Sequence, residues 1–132
     1  MALIVADTDV LIDALRGRAP AARAIEDLLR SRRLATTAIT RLELGVGAQL
    51  ATQRSAVTAL LATMPVLPLD AEAAAVAARV GASLRTAGKA IPMADLAIAG
   101  ICLTLDLSLF TRNRRHFERI DGLRLVEAER FG

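Results

Sequence analysis

The chain has 132 residues, 54% of them hydrophobic, with one Cys, no Trp and no Tyr. This predicts a single aliphatic-cored domain over 1–132 and excludes an intrachain disulfide, a Cys/His zinc site and an aromatic platform for bases. Seventeen basic residues against fourteen acidic ones give a formal charge of +3, and all but Lys89 are Arg, whose planar fork suits phosphate. The first residues lack a signal-peptide pattern, and the longest uncharged run, Ser55 to Leu69, contains Pro65 and Pro68, so a cytoplasmic protein without a membrane segment is expected.

Ala2 to Ala6 is an uncharged apolar run, the pattern of a strand buried on both faces, and it ends at Asp7-Thr8-Asp9. Helices are expected over 10–16 and, behind Pro20, over 20–32. Leu34 to Thr37 predicts a second strand. A helix from Ala38 or Ile39 then carries Leu42, Leu44, Val46 and Leu50, and another runs from Gln53 to Thr63. Val66 and Leu67 supply a third strand, and Asp70 caps a helix over 71–87 that Gly88 ends. A helix from about Met93 to about Thr104 contains Cys102, expected as a small buried hydrophobe. Strands over 107–111 and 124–126 follow. Strands alternating with helices imply an α/β fold with a parallel sheet of four to five short strands.

Three carboxylates fall where such a sheet puts its chemistry: Asp7 after strand one, Glu43 early in the helix after strand two, and Asp95 in the helix behind Pro92. Taken singly, each has a structural explanation as a helix cap or a solvated side chain. Asp95, however, stands alone among the apolar residues of Ile91 to Gly100, where a bare charge is costly unless paired or bound to a cation. Glu43 is followed by Gly45 and Gly47, each costing a helix about 1 kcal/mol relative to Ala, a cost that close packing or a closely approaching ligand would explain. Converging acids without a basic partner call for a divalent cation, and oxygen ligands select Mg2+ or Mn2+. Such a centre points to phosphodiester chemistry, with Arg112, Arg114 and Arg115 at the same edge to grip phosphate.

Asp7 to Asp13, Thr40 to Gly47 with Glu43, Pro92 to Ala99 with Asp95, and Leu109 to Asn113 through His116-Phe117 together resemble a PIN domain, specifically the VapC toxins of toxin-antitoxin modules. The resemblance runs in order over nearly the whole chain. It implies a three-layer α/β/α fold and a metal-dependent endoribonuclease leaving a 5′ phosphate and a 3′ hydroxyl, often homodimeric and inhibited by a VapB-type antitoxin. Asp7, Glu43 and Asp95 match the family's three most regular acidic positions. The fourth position departs: Asn113 and His116 stand where a carboxylate is common, so a second cation is not expected.

Asp7 and Asp95 are thus expected to bind metal directly, Glu43 directly or through water, and Asn113 to support them. Thr8 and Thr40 are expected to orient Asp7 and Glu43, and Asp9 to cap the helix or reach the metal through water. Arg112 is the first choice for a phosphate contact, whereas Asp13 and His116 are expected at the surface, and Asp106 at the opposite edge. Two other readings remain open. A haloacid dehalogenase-like phosphatase would use Asp7 as nucleophile but lacks a suitable lysine and later acidic pair. A degenerate PIN domain would bind RNA or protein without cleavage.

Overall fold

The computed structural model describes residues 2–127, in which seven helices connect five strands. The strands are β1 (Ile4–Ala6), β2 (Leu34–Thr37), β3 (Val66–Leu67), β4 (Ser108–Phe110) and β5 (Leu125–Val126). All pair in parallel, in the order β3-β2-β1-β4-β5. The helices are α1 (Thr8–Leu15), α2 (Ala21–Arg30), α3 (Ala38–Gly47), α4 (Ala51–Leu61), α5 (Ala71–Thr86), α6 (Met93–Leu105) and α7 (Arg114–Phe117). The α/β expectation and the strand positions hold.

The two-residue period of β1 divides the core. Ile4 and Ala6 face a cluster that includes Val10, Leu11, Ile25, Leu28, Leu44 and Phe110. Val5 faces the opposite one, with Leu84, Ile98, Cys102, Leu109 and Phe117. Because Val5 pairs with Leu109 and Ala6 with Phe110, β4 repeats the same alternation. Helices therefore cover both faces, giving the three layers expected.

Local chemistry sets the boundaries. Asp7 caps α1 two residues earlier than expected by accepting the Thr8 N–H at 2.7 Å. Asp70 caps α5 through the Ala73 N–H at 2.8 Å, and Gly88, at φ +71°, follows its end. Leu50 does not continue α3 as expected. It precedes α4, where Gln53 Oε1 accepts both the Gln49 and Leu50 N–H groups at 3.0 Å. The short helix α7 was not anticipated. Gly100 lets α5 and α6 approach closely, since a Cβ there would stand 2.5 Å from the Ala73 carbonyl oxygen. Gly45 and Gly47 are different, because an added Cβ would meet open space. Close packing among the described residues therefore does not explain them.

Candidate active site

Asp7 follows β1 and Thr111 follows β4, and these neighbouring strands continue to opposite sides of the sheet. This is the switch point at which open α/β sheets bind ligands. The two residues join across it. Asp7 is 6% exposed, and its Oδ2 accepts the Thr111 hydroxyl at 2.7 Å while Oδ1 accepts the Thr8 N–H. Burial, then the charge of Asp9 and more weakly that of Asp95, push the Asp7 carboxyl up from 3.8 to about 6, against those two hydrogen bonds.

Asp9 does not cap α1, since Asp7 does. Its Oδ2 accepts the Arg112 N–H at 3.0 Å and lies 3.4 Å from the Thr111 hydroxyl. Burial pushes this carboxyl up too, opposed by the Arg112 N–H and guanidinium. Its Oδ1 is buried without a hydrogen-bond partner among the described residues. The Asn113 N–H donates to Thr111 Oγ1 at 3.0 Å, so Thr111 fastens the turn after β4 to both Asp7 and Asp9.

Glu43 approaches from α3 and is exposed. The Thr8 hydroxyl donates to its Oε1 at 2.6 Å and lies 3.1 Å from Thr40 Oγ1. Thr8 thus serves both acids, Asp7 through its N–H and Glu43 through its hydroxyl, whereas Thr40 reaches Glu43 only through Thr8. Asp95 lies in the first turn of α6. His116 Nδ1 is 2.7 Å from Asp95 Oδ2, and Asn113 Nδ2 is 3.5 Å from the same oxygen. His116 is therefore not the surface residue expected. Its side chain is one-third exposed, and α7 turns its imidazole back onto Asp95.

The expectation for Asp13 also fails. It is 7% exposed and pairs with Arg112, Nε to Oδ2 at 2.7 Å. A buried carboxylate requires such a partner. Arg114 is turned toward Glu118 and Glu127, at 3.4 and 3.7 Å, whereas Arg115 is exposed. As expected, Asp106 lies at the other end of β4, where it pairs with Arg124 at 2.9 Å. Burial, then the Asp7 charge, push the Cys102 thiol up to about 12, which leaves it an inert core residue.

The donor set is oxygen-rich, as Mg2+ or Mn2+ requires. The charges of Asp9 and Asp95 beside Asp7, together with the unpartnered Asp9 Oδ1, fit a divalent cation at this edge. Among the described residues no three His, Cys, Asp or Glu side chains converge tightly enough to enclose one. A Mg2+ ion generally takes one or two carboxylates and keeps several waters. Sequence reasoning assigned no role to Thr111, although its place directly after β4 mirrors that of Asp7 after β1.

Residues 4–123 match the PIN domain family model. Ribonuclease VapC5 of Mycobacterium tuberculosis is 33% identical over 129 residues, covering 93% of this chain and 91% of the relative. The DNA-bound VapBC structure from Salmonella typhimurium superimposes with a TM-score of 0.87 at 27% identity, covering 97% of this chain and 99% of that one. VapBC-1 from nontypeable Haemophilus influenzae gives 0.83 at 25%, covering 96% and 98%.

Proposed function

This chain belongs to the PIN domain family, as a VapC-type member, and on that premise we propose that it is a Mg2+- or Mn2+-dependent endoribonuclease toxin. The observation that carries the reading is the buried Asp7 carboxyl, raised to about 6 beside Asp9 and Asp95 at the β1/β4 switch point. Family membership displaces the phosphatase alternative. Asp7 and Asp95 would hold the cation, with Glu43 reaching it directly or through water. When bound, such an ion neutralises the carboxylates and a phosphate oxygen and lowers the pKa of water.

The protein's own groups position this chemistry. Thr111 and the Thr8 N–H fix Asp7, the Thr8 hydroxyl aims Glu43, and His116 with Asn113 holds Asp95 Oδ2. Second-layer hydrogen bonds of this kind orient metal ligands and exclude wrong rotamers. Arg112 and Arg115 supply cationic contacts to the RNA backbone, whereas Arg114 is engaged by Glu118 and Glu127. The reaction hydrolyses a phosphodiester to a 5′ phosphate and a 3′ hydroxyl.

A VapB-type antitoxin is the proposed inhibitor, as in the VapBC complexes this chain resembles. Leu42 and Val46, 64% and 74% exposed beside Glu43, with open space at Gly45 and Gly47, offer such a partner an apolar surface next to the site. No helix of the described residues is long and apolar enough to cross a membrane. We place the action in the cytoplasm and expect a homodimer.

The test is RNA cleavage by antitoxin-free protein. Activity is expected with Mg2+ or Mn2+, with loss on chelation and in Asp7→Ala. Binding without cleavage under all these conditions supports the non-cleaving module instead.

A further inference from the structure

Asp13 and Arg112 are not among the residues proposed to hold the cation. Asp13 lies one helical turn beyond Asp9 on α1, and both grip the same residue of the turn after β4. Asp9 Oδ2 accepts the Arg112 N–H at 3.0 Å, whereas Asp13 takes its guanidinium at two points, Nε at 2.7 Å and an Nη at 3.3 Å. Asp13 is almost wholly buried while the Arg112 side chain remains 59% exposed. The buried end of the pair is therefore fixed, and the guanidinium it holds is open to solvent. Of five guanidinium N–H donors, Asp13 engages two, which leaves three for another acceptor.

We propose that Asp13 is a positioning residue for substrate, holding the Arg112 guanidinium so that its outer N–H groups meet an RNA phosphate beside the carboxylate edge. This deepens, and rests on, the proposed RNA-cleaving function. The physical gain is preorganisation. A free Arg loses much side-chain entropy when it binds phosphate, whereas one already clamped by a buried carboxylate loses less. The partner chemistry is a phosphate oxygen because the free donors belong to a planar fork that suits two-point contacts to such anions.

The test uses the full chain, free of antitoxin, and a short oligoribonucleotide. Cleavage kinetics are measured for wild type, Asp13→Asn, Arg112→Gln and the double variant. In parallel, binding is measured in chelator, where no cleavage obscures it. Each single variant is expected to raise KM, and to weaken binding, roughly fivefold to tenfold while kcat stays within about twofold. The double variant is expected to match Arg112→Gln alone, because Asp13 acts only through that side chain. Arg112→Gln also lowers the salt dependence of binding by about 0.7 in logarithmic slope, the value for one lost single-strand phosphate contact.

NMR of the wild-type Arg112 Nε–H gives a reading that no unfolded variant can spoil. The expected signal is protected in the free protein and shifts on addition of the oligoribonucleotide. Unchanged KM and binding in folded Asp13→Asn, independent effects in the double variant, or an Arg112 signal indifferent to RNA would overturn the proposal. Absence of cleavage by wild type would instead count against the ribonuclease reading, and the chelator and NMR arms would still decide the role of Asp13.

Discussion

On the β1/β4 flank of the site, Asp7 is buried and fastened by two hydrogen bonds, whereas on the α3 flank Glu43 is exposed and meets a single hydroxyl. The same residue, Thr8, touches both acids, so the contrast arises from their surroundings. The buried flank holds the Asp7 charge at a fixed position and a high electrostatic cost, which a cation would relieve. The exposed flank leaves its side chain in solvent, where it can adjust to substrate or partner. Rigidity and charge strain belong to Asp7, adaptability to Glu43.

Asp7→Asn should separate the two flanks most sharply. Cleavage is expected to fall by roughly ten-thousandfold or more, the scale for losing one member of a catalytic unit. Stability should move the other way. The folded carboxyl titrates near 6 against 3.8 in its ordinary setting, so its ionisation disfavours the fold. The penalty is absent below about pH 4, grows as pH rises through 6 and is complete above it. At pH 7.5 the metal-free Asn variant should therefore be more stable by roughly 2–3 kcal/mol, checked by urea unfolding. For the same reason, the metal-free wild type should be more stable at pH 5 than at pH 7.5, with added Mg2+ reducing the difference.

Thr111→Val tests the fastening itself. Losing the donor to Asp7 and Asp9 should lower activity by roughly 10- to 100-fold, as for outer hydrogen bonds at metal sites, and destabilise by about 1–2 kcal/mol. Glu43→Gln should lower cleavage by about tenfold yet leave stability within about 0.5 kcal/mol, as for an exposed substitution. A large change in its melting temperature would erase the distinction between flanks.

Local patterns exposed much of this arrangement before the structure did. The apolar run into Asp7, the Asp70 cap and the Gly88 stop are all set by neighbouring residues, and they appear where expected. Asp13 shows what such patterns miss. Its burial depends on Arg112, 99 positions away, and no helical period reveals that partner. His116 is similar, since α7 returns it to Asp95 across 21 positions. Thr111 falls within the span Leu109 to Asn113, but its hydrogen bond to Asp7 depends on the adjacency of β1 and β4. The ends of α3 and α4 were blurred because Leu50 fits an apolar face as well as it fits the turn that Gln53 closes.

The central claim is that buried Asp7 supplies the charge that a divalent cation neutralises. Calorimetric titration of antitoxin-free protein with Mn2+, comparing wild type with Asp7→Asn at pH 7.5, tests it most directly. The account predicts binding by wild type and at least a roughly tenfold weaker affinity in the variant, the range for losing one group of a metal site. Equal Mn2+ affinity in a folded Asp7→Asn would contradict it.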